Sequence, residues 1–215
     1  IGCFLDPAMQ EARELVPIPV FGLGETCMMM ACMYGHKFSG VAFHGKQAQY
    51  YDRKAFEYGL AARHIPFGEM GIDFTQVQSG FTNPVGMRES FIRESKRLVS
   101  QGAEVILAAC ATVNAIIRSE KINEVDGALV MDCNAVLLKV TEGMAELSKS
   151  IGLNASRRLL FQRPERKALA NWKRVGKGRG VACGARRPLR TLWRGNTVQA
   201  PCRRGCVRGS RAACQ

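Results

Sequence analysis

Two cysteines stand out because each lies between an apolar stretch and the start of a helix pattern. Cys3 occurs in "IGCFLDPAMQEARE", residues 1–14, and Cys110 in "GAEVILAACATVNAIIRSE", residues 102–120. Unpaired backbone N–H groups and the helix dipole at such a position favour the thiolate, the form of cysteine that acts as a base or nucleophile. The repeated order of strand, cysteine and helix suggests an internal duplication with both thiols at the carboxyl ends of strands.

Two cysteines that face each other across a cleft suit one class of reaction. One thiolate removes a proton from a carbon next to a carbonyl, and the opposite thiol returns a proton to the other face, which inverts the stereocentre. The carbonyl takes up the charge as an enolate, so we predict no cofactor. His36, His44 and His64 have no metal-ligand spacing, and we predict no metal.

The remaining composition indicates a soluble, globular and reduced protein. The chain has 215 residues, 47% of them hydrophobic, with no run long enough for a membrane span and no signal peptide. Of its nine cysteines, we interpret Cys27, Cys32 and Cys133 as structural residues of the core. Reduced thiols predict a cytoplasmic location.

Strand and helix patterns alternate along the first 175 residues. We predict strands at residues 1–2, 37–43, 103–109 and 128–132, and a strand followed by a Gly-punctuated turn within residues 18–25. We predict helices at residues 7–15, 26–35, 46–60, 87–102, 112–121 and 134–152. Asp6 is the expected N-cap of the first helix. This alternation predicts a doubly wound α/β fold with parallel strands, in which ligands bind at the carboxyl ends of the strands.

Residues 176–215 differ from the rest of the chain. They carry ten basic groups and no acidic one, so they hold most of the formal net charge of +13. Their lack of periodicity predicts a segment without packed structure. It is either a basic arm attracted to phosphates or sequence read out of frame, and we favour the second.

Several motifs resemble the hydantoin racemase branch of the aspartate/glutamate racemase superfamily. They are "IGCFLDPAMQEARE", "IPVFGLGE", "HKFSGVAF", "GAEVILAACATVNA", "DGALVMDCNAVLLKVTE" and "GLNASRRLLFQRPERKALANWKRV", in that order. The resemblance covers residues 1–175. It implies two pseudo-symmetric Rossmann-like lobes with the active site in the cleft between them. It also implies that the first lobe of this chain lacks its opening strand and helix, and that the C-terminal tail is atypical.

The resemblance assigns roles to particular residues. Cys3 and Cys110 become the two acid/base thiols, and a further set becomes the substrate-binding residues: Phe4, Leu5, Phe43, His44, Ala111 and Thr112. Phe4, Leu5, Ala111 and Thr112 would offer backbone N–H groups, whereas Phe43 and His44 would line the cleft, with an exposed loop position as the alternative for His44. Glu25 is interpreted as structural or supporting. Asn114 either contacts ligand or caps the helix that it opens.

The predicted domains are a first lobe from residues 1–35 and 129–175, a second lobe from residues 36–128, and the tail.

The implied reaction is cofactor-independent inversion of C5 in 5-substituted hydantoins or allantoin-like compounds. Phe4 after the first cysteine favours a neutral ring over a carboxylate. The alternatives are a decarboxylase or isomerase of malonate- or maleate-like diacids, and a nucleic-acid-binding protein acting through its tail. We expect a small-molecule partner, no nucleic acid and no membrane, and leave a homo-oligomer open.

Overall fold

A computed structural model of the protein describes residues 1–165 and residue 167. The predicted tail at 176–215, and residues 166 and 168–175 of the predicted first lobe, lie outside the described residues. Residues 1–165 belong to one compact unit. Among the residues that the structure describes, none of the helices is both long enough and apolar enough to span a bilayer.

A five-stranded sheet organises this unit. Its strands are β1 (Phe38–Ala42), β2 (Gly68–Glu69), β3 (Val105–Ala108), β4 (Glu124–Val125) and β5 (Ala128–Met131), in the order β2-β1-β3-β5-β4. All neighbouring pairs are parallel except β4 and β5, which form an antiparallel edge. The predicted α/β class with parallel strands is confirmed, while the division into two lobes stays a prediction.

Helices cover both faces of the sheet. They are α1 (Met9–Leu15), α2 (Leu23–Tyr34), α3 (Gly45–Glu57), α4 (Phe74–Ser79), α5 (Val85–Ser100), α6 (Ala111–Ser119) and α7 (Cys133–Ile151), followed by a 3-10 turn at Leu159–Phe161. The α2, α3 and α7 helices contribute to one apolar layer, and α4, α5 and α6 contribute to the other. Three stacked layers of this kind are the usual form of a doubly wound domain.

Strand β3 connects the two apolar layers because successive side chains of a strand point to opposite faces. Val105 and Leu107 belong to the layer of α2 and α3, whereas Ile106 and Ala108 belong to the layer of α5 and α6. All four are buried, and full burial of a Val, Leu or Ile side chain contributes about 1.5–3 kcal/mol. The strand is thereby fixed in register, and its carboxyl end carries Cys110.

The predicted strand at residues 18–25 is wrong. This segment is irregular up to Gly22, and α2 begins at Leu23. Within the described residues its strand-like pairing is limited to Ile1, whose amino group donates to the Phe21 carbonyl at 2.6 Å and whose carbonyl accepts from Leu23 N–H at 3.1 Å. Pairing limited to a single residue forms no ladder, so Ile1 and Gly2 are also not a regular strand.

Asp6 is not the N-cap of the first helix. The chain turns through Asp6 and Ala8 with positive φ values of 48° and 54°, and α1 starts only at Met9. The carboxylate of Asp6 points instead to the start of α2. The sequence reasoning also missed β2, β4 and α4, because segments of two to six residues show no readable period.

Candidate active site

Cys110 lies at the carboxyl end of the central strand, as predicted. It follows β3 by two residues and is the N-cap residue of α6, with a half-buried thiol. Ala111 and Thr112 form the first turn of α6, where helix geometry leaves backbone N–H groups without intrahelical acceptors. Their N–H groups are thus available beside the thiol, which is the arrangement expected of a site that binds a developing negative charge.

Phe43 lies at the same edge of the sheet as Cys110, because the strands that they follow are paired. Val41 of β1 pairs with Ala108 of β3, and Ala109 N–H donates to the Val41 carbonyl at 3.1 Å. Phe43 and Cys110 follow the carboxyl ends of these two strands, and both pack partly buried against the same apolar layer. The Phe43 ring centroid lies 6.0 Å from that of Phe74, at the start of α4. These two rings form an apolar wall at the edge of the sheet that carries Cys110.

His44 follows Phe43 at the same edge, and its side chain is exposed. Its Nδ1 accepts a hydrogen bond from Lys46 N–H at 3.2 Å, so that His44 is the N-cap of α3. This contact gives the residue a local structural role at the start of α3. Substrate binding by His44 remains a prediction.

Cys3 lies in a tight loop, and its thiol is exposed. Its carbonyl accepts a hydrogen bond from Asp6 N–H at 3.0 Å, which closes the turn. The next residue, Phe4, is buried, with its ring centroid 4.9 Å from that of Tyr51 in an edge-to-face contact. Leu5 packs partly buried against the same core. The Phe4 side chain anchors the loop, so its expected contribution to substrate binding is its backbone N–H.

Asp6 connects the Cys3 loop to the N-terminus of α2. Its carboxylate accepts hydrogen bonds from Gly24 N–H at 2.9 Å, Glu25 N–H at 2.6 Å and the Tyr58 hydroxyl at 3.0 Å. Burial raises the pKa of Asp6, and these hydrogen bonds oppose part of that shift. The "GLGE" motif is explained by the same contact, because a Cβ at Gly22 would overlap Asp6 and one at Gly24 would overlap the Phe4 carbonyl.

Glu25 has the structural role that we inferred from sequence. It forms a bidentate ion pair with Arg13 of α1, and the hydrogen bond from Arg13 Nη1 to Glu25 Oε1 measures 3.0 Å. Arg13 also donates from Nε to the Val20 carbonyl at 2.9 Å. The pair fixes α1, which follows the Cys3 loop, against the start of α2.

Asn114 does not cap α6, the helix that it was expected to open, since Cys110 holds the N-cap position and the Asn114 side chain joins α6 to the next helix. Its contact with ligand stays a prediction. Its Nδ2 donates to Asp132 Oδ1 at 2.9 Å, and its Oδ1 accepts from Cys133 N–H at 3.0 Å. Asp132 in turn caps α7 by accepting from Ala135 N–H at 3.1 Å. Buried Asn114 therefore helps to cap α7 and holds the first turn of α6 against it.

Cys27, Cys32 and Cys133 have structural surroundings. Cys27 Sγ donates to the Cys133 carbonyl at 3.4 Å, and both side chains are fully buried. The interaction with Cys133, followed by burial, raises the pKa of Cys27. Burial also raises the pKa of Cys32, whose thiol donates to the Met28 carbonyl of its own helix. Cys27 and Cys32 thus stay neutral thiols at ordinary pH.

Tyr51 of α3 is a buried side chain that lies close to the surroundings of both predicted thiols. Burial raises the pKa of its hydroxyl, and the charges of Cys110 and then Cys3 raise it further. The packing agrees with this, because Phe4, the neighbour of Cys3, contacts the Tyr51 ring, and Ala109 and Ala111 beside Cys110 belong to the same apolar cluster. The sequence analysis missed Tyr51. The spacing of Ala48, Tyr51 and Ala55 identifies a buried face of α3, but nothing in that spacing indicates two thiols nearby.

The described residues include no group of three or more His, Cys, Asp or Glu side chains placed to hold a metal ion.

The architecture and the position of Cys110 put this chain in the class of doubly wound α/β domains whose site lies at the carboxyl edge of a parallel sheet. Residues 1–141 match the family described as Asp/Glu/Hydantoin racemase, and the chain belongs to this family. The family resemblance drawn from its motifs is confirmed.

Individual relatives agree with this assignment. A hydantoin racemase from Pseudomonas sp. (strain NS671) is 28% identical over 182 residues, which cover 81% of this chain and 68% of the relative. The structure of an allantoin racemase from Klebsiella pneumoniae is similar with a TM-score of 0.63 at 23% identity, covering 78% of this chain and 65% of that one. An allantoin racemase from Pseudomonas fluorescens gives a TM-score of 0.60 at 21% identity, with 73% and 63% covered. The chain thus spans less than two thirds of the length of either solved structure.

Proposed function

We propose that this chain is part of an enzyme that inverts the C5 stereocentre of 5-substituted hydantoins without a cofactor. The observation that carries the proposal is that two cysteines far apart in sequence have neighbours in one apolar cluster, Phe4 beside Cys3 and Ala109 and Ala111 on either side of Cys110. The similarity to a hydantoin racemase supports the same reaction class.

The proposed mechanism uses the two thiols as alternating base and acid. One thiolate removes the C5 proton of the substrate, and the electron pair moves into the adjacent ring carbonyl to form an enolate. The opposite thiol then gives its proton to the other face of C5 and becomes the thiolate. The enzyme is left ready for the substrate of opposite handedness, so the reaction runs in both directions without an added acid or base.

Backbone groups beside the thiols stabilise the enolate oxygen in this mechanism. The N–H groups of Ala111 and Thr112 open α6 next to Cys110, and those of Phe4 and Leu5 follow Cys3. Donors fixed before the reaction stabilise a developing charge without having to reorganise. A hydantoin suits such a site because its C5 proton is flanked by a ring carbonyl and an amide nitrogen, which makes it more acidic than the α-proton of an amino acid.

The apolar wall of Phe43 and Phe74 favours an uncharged substrate. Aromatic side chains at the edge beside Cys110 offer an apolar surface to the C5 substituent and provide no cation for a second carboxylate. Allantoin, a hydantoin with a ureido substituent, belongs to the same substrate class, and both structural neighbours are allantoin racemases. Diacids of the malonate or maleate type fit this surface less well.

The test is to replace each cysteine with serine and to follow racemisation of a chiral 5-substituted hydantoin by polarimetry. We expect Cys3→Ser and Cys110→Ser each to lower the rate by about 10²–10⁴-fold, the usual contribution of a general acid or base. Cys32→Ser is the matched control, because this thiol lies within α2 and bonds its own helix. Full activity in both site variants would overturn the mechanism.

Deuterium exchange separates racemisation from the diacid alternatives. In D₂O the proposed enzyme incorporates deuterium at C5 as it racemises, with no release of carbon dioxide. A decarboxylase would release carbon dioxide from a malonate-like substrate. Carbon dioxide release without any exchange into a hydantoin would therefore refute the racemase proposal.

A further inference from the structure

One face of α3 carries two polar groups that the mechanism above does not use. Gln47 Oε1 is buried and has no hydrogen-bond partner. The Tyr51 ring is buried on the same helix, and among the described residues no protein group is hydrogen-bonded to its hydroxyl. Buried polar groups in folded proteins nearly always have partners. Gln47 Oε1 is an exception of this kind, as is Ser95 Oγ on α5, but only Gln47 has a second polar group without a protein partner, the Tyr51 hydroxyl, one turn away on its helix. This pair indicates a place where a ligand supplies the missing partners.

The geometry of α3 brings these two groups together near the thiols. Gln47 and Tyr51 are four residues apart, so they lie on the same face, one turn above the other. Helical side chains point back toward the N-terminus, and α3 begins at Gly45, directly after Phe43 and His44 at the carboxyl edge of the sheet. Both side chains are thus directed to the edge that carries Cys110.

The Tyr51 ring is held firmly in this position. Its centroid lies 4.9 Å from that of Phe4 and 5.5 Å from that of Phe67. Edge-to-face and tilted aromatic contacts of this kind fix a ring without using its hydroxyl. Because burial and the charges of Cys110 and Cys3 raise the pKa of Tyr51, the group stays protonated and acts as a hydrogen-bond donor.

We propose that Gln47 and Tyr51 recognise the ring of the substrate, with the Tyr51 hydroxyl donating to the carbonyl oxygen next to the reacting carbon and the Gln47 amide bonding the ring amide. This proposal rests on the proposed function. A hydantoin ring alternates carbonyl oxygens with N–H groups, so it needs both a donor and an acceptor. A side-chain amide supplies both, and a protonated phenol supplies a donor.

The two residues contribute at different stages of the reaction. The oxygen that accepts from Tyr51 becomes more negative as the C5 proton leaves, so this hydrogen bond strengthens in the transition state and raises kcat. The ring amide bonded by Gln47 does not change its charge. That contact therefore contributes equally before and during the reaction and affects KM alone.

Two substitutions that preserve shape test this division. Tyr51→Phe removes one oxygen, and we expect kcat for a 5-substituted hydantoin to fall by about 10²-fold, the usual loss for one oxyanion donor, with KM nearly unchanged. Gln47→Met removes the amide, and we expect KM to rise about tenfold with kcat nearly unchanged. Tyr50→Phe is the control, because the neighbouring Tyr50 ring is partly exposed and stacks on Arg53.

Each outcome decides the inference. If Tyr51→Phe keeps the kcat of the natural sequence while Cys110→Ser inactivates the enzyme, the proposed role of Tyr51 is overturned and the proposed function stands. A protein that racemises no hydantoin overturns both. The melting temperature of Tyr51→Phe should match that of the natural sequence, because the hydroxyl has no protein partner to lose. A fall of more than about 5 °C would assign the hydroxyl a structural partner and overturn the inference as well.

Discussion

The carboxylate of Asp6 accepts a hydrogen bond of 2.9 Å from the backbone N–H of Gly24, 18 residues further along the chain. This contact binds the turn that carries Cys3 to the first turn of α2, where backbone N–H groups lack acceptors within the helix. A carboxylate at a helix N-terminus is also favoured by the helix dipole. The position of Cys3 therefore depends on one buried acid and on two glycines that give it space.

The raised pKa of Asp6 predicts a pH dependence of stability. Burial raises this pKa above its usual value near 3.8, so the folded protein binds the proton more tightly than the unfolded chain does. The stability that Asp6 contributes is then complete below pH 3.8 and is lost as the pH rises through the folded-state pKa. Asp6→Asn cannot titrate, so the unfolding free energy of the natural sequence should fall relative to that of the variant over this interval.

Urea unfolding of both proteins at a series of pH values measures this difference. Asp73→Asn is the control, because Asp73 also caps a helix through its carboxylate but lies at the exposed start of α4. If the unfolding free energy of the natural sequence instead rose relative to that of Asp6→Asn with increasing pH, the predicted direction would be wrong.

Gly24→Ala should destabilise the protein and lower its activity. The new methyl group would overlap the carbonyl oxygen of Phe4, which is backbone and cannot turn away. We expect a loss of about 1–3 kcal/mol, as for other overpacked sites, together with slower racemisation because the Cys3 turn is displaced. Gly143→Ala makes the same chemical change inside α7 where space is open, and it should stabilise the helix by up to about 1 kcal/mol. Thermal unfolding measures the change in stability, and polarimetry measures the change in the rate of racemisation. Equal melting temperatures for the two variants would refute the steric argument.

Asn114→Ala should destabilise the junction between α6 and α7. It leaves the Cys133 N–H without its acceptor in a buried site, which costs about 1–3 kcal/mol. Asn114→Asp keeps an acceptor for Cys133 but puts a second carboxylate against Asp132, so we expect no rescue. The measurement is urea unfolding, and exposed Asn83→Ala provides the comparison. If Asn114→Asp were as stable as the natural sequence, the hydrogen bond to Asp132 would not contribute.

The long elements of this fold were predictable from sequence, because their patterns extend over several turns or a whole strand. Apolar runs identified β1, β3 and β5, and Gly35 correctly ended α2. The wrong strand at residues 18–25 has the β-branched composition of a strand. Its conformation depends on long-range contacts with Ile1 and Asp6, which local composition does not record.

For the candidate site, the sequence identified the thiols more readily than their surroundings. The position of Cys110 could be predicted because an apolar strand pattern precedes it in the sequence and a helix pattern follows it. The neighbours of the site come from elsewhere in the chain, as with Phe43, which shares an apolar layer with Cys110, and Tyr51, whose ring packs on Phe4 beside Cys3. The bridging role of Asn114 likewise depends on where α7 begins. Such relationships follow from tertiary packing, and single-chain periodicity carries no information about them.

The parallel pairing of Phe38 with Val105 has a consequence for how the chain reaches its native state. The two partners are separated by α3, α4 and α5, so a long loop must close before the first central rung forms, and loop closure costs entropy. We therefore expect folding to be slow for a domain of this size, with exposed apolar surface that favours aggregation before the sheet forms. Low temperature and dilute conditions should accordingly give the highest yield of refolded protein.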